Sequence, residues 1–151
     1  MRATTAGGVF GFGIGGLVDG IVLHQVLQWH HLVAGETTTK TVEGLEANTL
    51  ADGVFHLATL AVVLLGTVLI HRAPRDGRAV VGGALVGWGV FHLVDEVTFH
   101  LLLDLHHIRM VEDYLAYDLA FAGIGVVLVV VGARLLRTRR APRLRSSAPI
   151  R

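Results

Sequence analysis

Carboxylates and imidazoles recur in this chain at matched spacings inside apolar sequence. "LVDGIVLHQVLQWHH" (Leu17 to His31) returns as "LVDEVTFHLLLDLHH" (Leu93 to His107). Asp19, His24, His30 and His31 therefore reappear as Asp95, His100, His106 and His107 at one fixed offset. Imidazole and carboxylate are ligands of zinc, iron, manganese and cupric copper. The chain has no Cys and only 2 Met, which removes thiolate sites and argues against a soft cuprous relay. Ionisable residues in apolar stretches are costly, and are functional candidates by default. Two copies of one costly arrangement point to a composite site.

A second pair of segments extends the echo. "LEANTLADGVF" (Leu45 to Phe55) aligns with "VEDYLAYDLAF" (Val111 to Phe121), which sets Asp52 beside Asp118. His56 has no such partner, because Ala122 stands in its place. Asn48, Asp52 and His56 share one helix face by their spacing, and Tyr114 and Asp118 form the matching stripe. His24, Asp52, His56 and His100 form the strongest candidate ligand set. His31, His107 and Asp118 complete or orient it. His30 and His106 belong to His-His pairs at the helix ends, where ligation and a plain interfacial role both stay open. Asp19, Asp95, Glu96, His92 and Asn48 are candidates for a proton relay or for orienting the ligands. The supply exceeds one ion's needs, so two ions are an option.

Copper, zinc and iron all suit these donors. Haem is the alternative cofactor, held axially by two of His24, His56 and His100. A proton or solute conductor using Asp19, His24, Asp95, Glu96 and His100 is the third reading. No catalytic residue is assigned; as an enzyme the chain would be a metal-dependent membrane oxidoreductase.

The elements that must position these groups follow from hydropathy. The 151 residues are 52% hydrophobic with mean hydropathy +0.60. Apolar blocks run from Gly7 to about His31, Gly53 to Ile70, Ala79 to Leu103 and Leu119 to Leu136. A bilayer core of ~30 Å needs roughly 20 helical residues. The chain reads as an all-α membrane protein, a four-transmembrane-helix bundle. Two tandem helical hairpins, about 7–72 and about 79–137, give it a pseudo-twofold axis along the membrane normal, as in parallel-repeat transporters. Residues 1–137 make one domain, and 138–151 a basic, disordered cytoplasmic tail. The first block lacks a small-residue cleavage site and carries Asp19 and His24 mid-span, so it does not read as a signal peptide.

Arg72, Arg75 and Arg78 fall between helices two and three, and a run of arginines follows helix four. The positive-inside rule then places both termini in the cytoplasm, in a bacterial inner membrane. The tail "RTRRAPRLR" suits lipid headgroups rather than nucleic acid. His30, His31, His106 and His107 would mark the outer helix ends, with His24, His56 and His100 roughly 10 Å deeper by the helical rise. The expected partners are the lipid bilayer, a metal ion, and a second copy or another membrane protein. Glycines in "GFGIGG" and its counterpart would permit close helix contact; with no strand before them they make no nucleotide loop.

The stretches "GFGIGGLVDGIVLHQVLQWHH", "GLEANTLADGVFH", "GWGVFHLVDE" and "LHHIR" resemble an uncharacterised bacterial family of predicted four-span, His-rich integral membrane proteins. The likeness covers nearly the whole chain up to the basic tail. It implies a four-helix membrane protein with His/Asp motifs as its hallmark, and no activity. The family's pattern has Asn and Glu where this chain has His92 and Asp95, and Gly where it has Glu96. His92 and Glu96 are thus the weaker candidates for family-wide ligands.

Overall fold

The computed structural model describes residues 1–138, so the tail read at 138–151 lies, after Thr138, outside the described residues. Four long helices make up the described chain, with no strand among them. Helix α1 (Ala3–Asp19) continues as a π-helix over Gly20–Val26. Helix α2 spans Val42–Arg72. Helix α3 (Gly77–Asp95) likewise continues as a π-helix over Glu96–Leu102, and α4 spans Leu115–Arg137. All four are long and apolar enough to cross a membrane.

Local sequence sets several of these boundaries. Thr41 caps α2 by accepting from the Gly44 amide at 3.1 Å, and Asp76 caps α3 by accepting from Ala79 at 3.0 Å. Such side chains satisfy amides that have no partner within the helix. Pro74 cannot continue a helix, and the α2–α3 turn falls there.

Helices α1 and α3 pack centrally, with α2 against α1 and α4 against α3. The central crossing is backbone on backbone. Gly7 and Gly11 lie on Val80 and Ala84, while Gly83 and Gly87 lie on Thr4 and Gly8. Any β-carbon there would strike main-chain atoms. Small residues allow this approach where lipid offers no hydrophobic drive for helix association.

The distribution of side chains is inverted relative to a water-soluble core. Large apolar groups such as Leu50 (70% exposed), Leu57 (68%) and Leu119 (62%) face outward. The interior holds Asp19, His24, His30, Asn48, Asp52, His92, Asp95, Glu96, His100, His106 and Asp118. Only a bilayer solvates the former, and only mutual pairing satisfies the latter.

One sequence expectation needs correction. Helix one was expected to reach about His31, but it ends at Val26. Gln28 then takes φ 50°, and Trp29 N–H donates to Leu23 O at 3.0 Å. Asp104 takes the same φ of 50° after α3, and Leu105 N–H donates to Phe99 O at 2.9 Å. A positive φ is uncommon for residues other than glycine, and it reverses the chain here. The four outer histidines therefore sit on loops that fold back over the bundle, not on helix faces. The wider π-turn also shifts the angular register between Asp19 and the residues after it.

Candidate metal centre

The loops carry His30 and His106 into the interior, where each is 2% exposed. Their rings stack at 4.6 Å and 9°. His24 meets His30 edge-on at 4.4 Å, and His100 meets His106 edge-on at 4.8 Å. Four imidazoles from four separate segments thus converge in one buried cluster.

Every ring in the cluster has its Nδ1 committed. His24 donates to Asp52 Oδ1 at 2.8 Å, and His100 donates to Glu96 Oε2 at 2.8 Å. His30 donates to the Ile108 carbonyl at 2.8 Å, and His106 to the Leu32 carbonyl at 3.0 Å. The last two bonds are reciprocal, since each loop's histidine holds the other loop's backbone. A carboxylate or carbonyl can only accept, so each bond fixes Nδ1–H as the tautomer of the neutral ring, the form in which the Nε2 lone pair is free.

Three of those Nε2 atoms, on His24, His30 and His100, are buried without a hydrogen bond, as are His56 Nε2, Asp19 Oδ1 and Asp95 Oδ2. The π-turns bring the acids in. Asp19 Oδ2 lies 3.5 Å from His24 Nε2, and Asp95 Oδ2 lies 3.5 Å from His100 Nε2. A buried polar atom without a partner costs about 1–3 kcal/mol, and such atoms call for an explanation. Burial and the neighbouring rings His106 and His24 push His30 down to about 3. Burial and the neighbours His100 and His24 push His106 down to about 3 as well. Both are neutral imidazoles at neutral pH.

Ligand atoms gather within 4.8 Å of one another in three groups: His24, His30 and His106; Asp95, His100 and His106; and Glu96, His100 and Asp118. The first two share His106. The third lies on the Nδ1 side of His100, where Asp118 Oδ1 is 3.7 Å away.

The remaining sequence candidates fall elsewhere. Asp52 accepts from His24, from His31 Nδ1 at 2.6 Å and from the Leu32 amide at 2.9 Å. Asp118 accepts from His107 Nδ1 at 2.8 Å and the Ile108 amide at 2.9 Å. His31 and His107 therefore fasten the loops to α2 and α4. His56 makes no contact with Asp52 in its ring's packing. Its ring packs on Gly20, 6.4 Å from the His24 ring, outside all three groups. His92 has both nitrogens engaged, accepting from Trp88 Nε1 at 3.0 Å and donating to the Phe121 carbonyl at 3.2 Å. It joins α3 to α4 and has no lone pair to offer. Asn48 donates to Thr37 and Gly44, pinning the first loop away from the cluster.

Spacing on one strand of sequence could not reveal the centrality of His30 and His106, because their partners lie on the opposite loop. Their identical repetition was the available signal. The family model for DUF2243, described as a predicted membrane protein, matches residues 6–139, which include every residue of the cluster. No curated protein and no solved structure matches the chain.

Proposed function

We propose that this chain, which belongs to the DUF2243 family of predicted membrane proteins, is an integral membrane metalloprotein. It holds one or two transition-metal ions between its helices and serves a redox or metal-handling role. The observation that carries this reading is the convergence of buried Nε2 atoms without partners, each on a ring whose Nδ1 is already held. Ligating histidines characteristically donate their other nitrogen to a carboxylate or carbonyl in this way.

His24, His30 and His106 hold the first ion, with Asp19 beside them. Asp95 and His100 hold a second, with His106 within reach of both. Nitrogen-rich sites without thiolate suit copper, zinc or iron. Bound there, such an ion supplies Lewis acidity or, for copper and iron, electron transfer. Asp52, Glu96 and Asp118 fix the imidazoles, and Asp19 and Asp95 offset the charge in a medium that solvates ions poorly. The two halves, with their matched π-turns and matched positive-φ residues, fit descent from one duplicated hairpin.

Arginines at 72, 75 and 78 and after α4 orient the termini to the cytoplasm, which sets the centre toward the outer face of a bacterial inner membrane. Two other readings find less support. A porphyrin needs a planar slot, whereas the rings touch at 4.4 to 4.8 Å. A conductor needs polar side chains across the whole bilayer, whereas beyond Asp19 and Asp95 the α1–α3 contact is built from backbone at glycine, alanine, valine and Thr4 and from the rings of Phe12 and Phe91. Elemental analysis of protein purified without chelator, with a visible spectrum, tests the proposal. Stoichiometric copper, zinc or iron supports it, whereas a Soret band without such additional metal sinks it.

A further inference from the structure

A cavity of about 500 Å³ opens beside the first loop. Its polar lining comes from Gln25, Gln28, His30, His31, Thr39 and Thr49. A second cavity of about 280 Å³ adjoins it, since Ala34, Thr39 and Met110 line both, and Glu36 stands in its wall. The larger cavity borders the cluster, because His30 belongs to its wall and to the first ligand group, with the His30 Nε2 itself buried just behind. In the second loop His107, the counterpart of His31, stacks on Tyr114 at 3.6 Å, and its Nε2 lies 3.3 Å from Asp104. Gln28, a neutral amide, occupies the place in the first loop that Asp104 holds in the second.

We infer that these joined cavities are the loading path for the metal, and that a hydrated divalent transition-metal cation reaches His30 past the first loop. The inference rests on the metalloprotein reading and adds to it a direction and a side. The chemistry of the wall is suited to passage. Glu36 at the exposed end attracts a cation. Amide, hydroxyl and imidazole groups then replace water without the strong hold of a carboxylate. Beyond them Asp19, Asp52 and Asp95 lie buried and draw the ion inward. Carboxylates deeper than neutral donors make a one-way gradient for a dication, and field lines focus in a cleft with low-dielectric walls.

Thr49 is exposed on α2 and lines the cavity. Leu115 holds the matching place on α4 and is 60% exposed. The chain has no native Cys, so Thr49→Cys and Leu115→Cys each introduce one reactive thiol. Each variant is stripped of metal, tagged with a bulky methanethiosulfonate reagent, and mixed with cobalt(II), whose visible absorption reports uptake. Sealing the path makes uptake wait on opening of the loops, and binding gated by such a change is slower. The tag on Thr49→Cys slows uptake by roughly ten-fold or more without changing the final stoichiometry. Reduction of the tag restores the rate, which excludes misfolding as the cause. The tag on Leu115→Cys leaves the rate at its untagged value. Equal rates for tagged and untagged Thr49→Cys overturn the path while leaving the metal site standing. Failure of the unmodified chain to take up cobalt(II) overturns the metalloprotein reading, and the path with it.

Discussion

At the residue scale, His30 and His106 carry more of the account than their positions in the sequence promised. Burial holds both down to about 3, against an ordinary value of 6.5. A histidine depressed in the folded state contributes stability that is complete above its unfolded value near 6.5. That stability is lost as pH falls from there toward 3, because the unfolded chain then binds the extra proton. Each contributes a slope of at most about 1.4 kcal/mol per pH unit. The melting midpoint of metal-free protein in detergent therefore falls between pH 6.5 and 4. His30→Phe keeps the ring stack, loses the bond to Ile108, and shows a shallower fall; equal slopes would count against the burial argument. Asp52 offers a second test, since it orients His24 and His31 together. Asp52→Asn lowers metal affinity roughly 10- to 100-fold while the helix content in circular dichroism stays unchanged. The identities of the polar residues were legible from sequence. Which of them converge was not: Asp52 and His56 looked like one grip by spacing, yet Asp52 turns to the first loop and His56 to Gly20.

At the element scale, the glycine crossing of α1 and α3 fixes where the two π-turns stand. Gly83 lies against the Thr4 carbonyl, so Gly83→Leu forces backbone apart and costs about 3 kcal/mol or more. Gly53 has nothing within 4 Å, and Gly53→Ala is neutral or stabilising by up to about 1 kcal/mol. Unfolding titrations in mixed micelles order the two, and a tolerated Gly83→Leu would contradict the crossing as described. The four spans were readable because apolar length is a strong signal. The π-turns were not. Hydropathy is indifferent to whether a helix closes on the fourth or the fifth residue.

At the scale of the whole molecule, the fold places its apolar bulk outward and gathers its costly groups into one cluster near the end where both long loops lie. The matched halves were legible in the repeated "LVD…H…HH", and the departures between them carry the remaining information. Gly20 faces His56 where the second half has Glu96 and Ala122 at the matching positions, and Gln28 stands where the second half has Asp104. These differences give the two sides of the cluster unequal chemistry, and a polar cavity borders His30 on the first side. The central claim is that the buried imidazoles exist to bind metal. The most direct measurement is the metal content of the purified chain beside that of His30→Ala/His106→Ala, each confirmed to be folded. The account predicts one or two copper, zinc or iron ions per wild-type chain, and background levels in the double variant. A metal-free wild-type chain, or a double variant that retains its full complement, would contradict it.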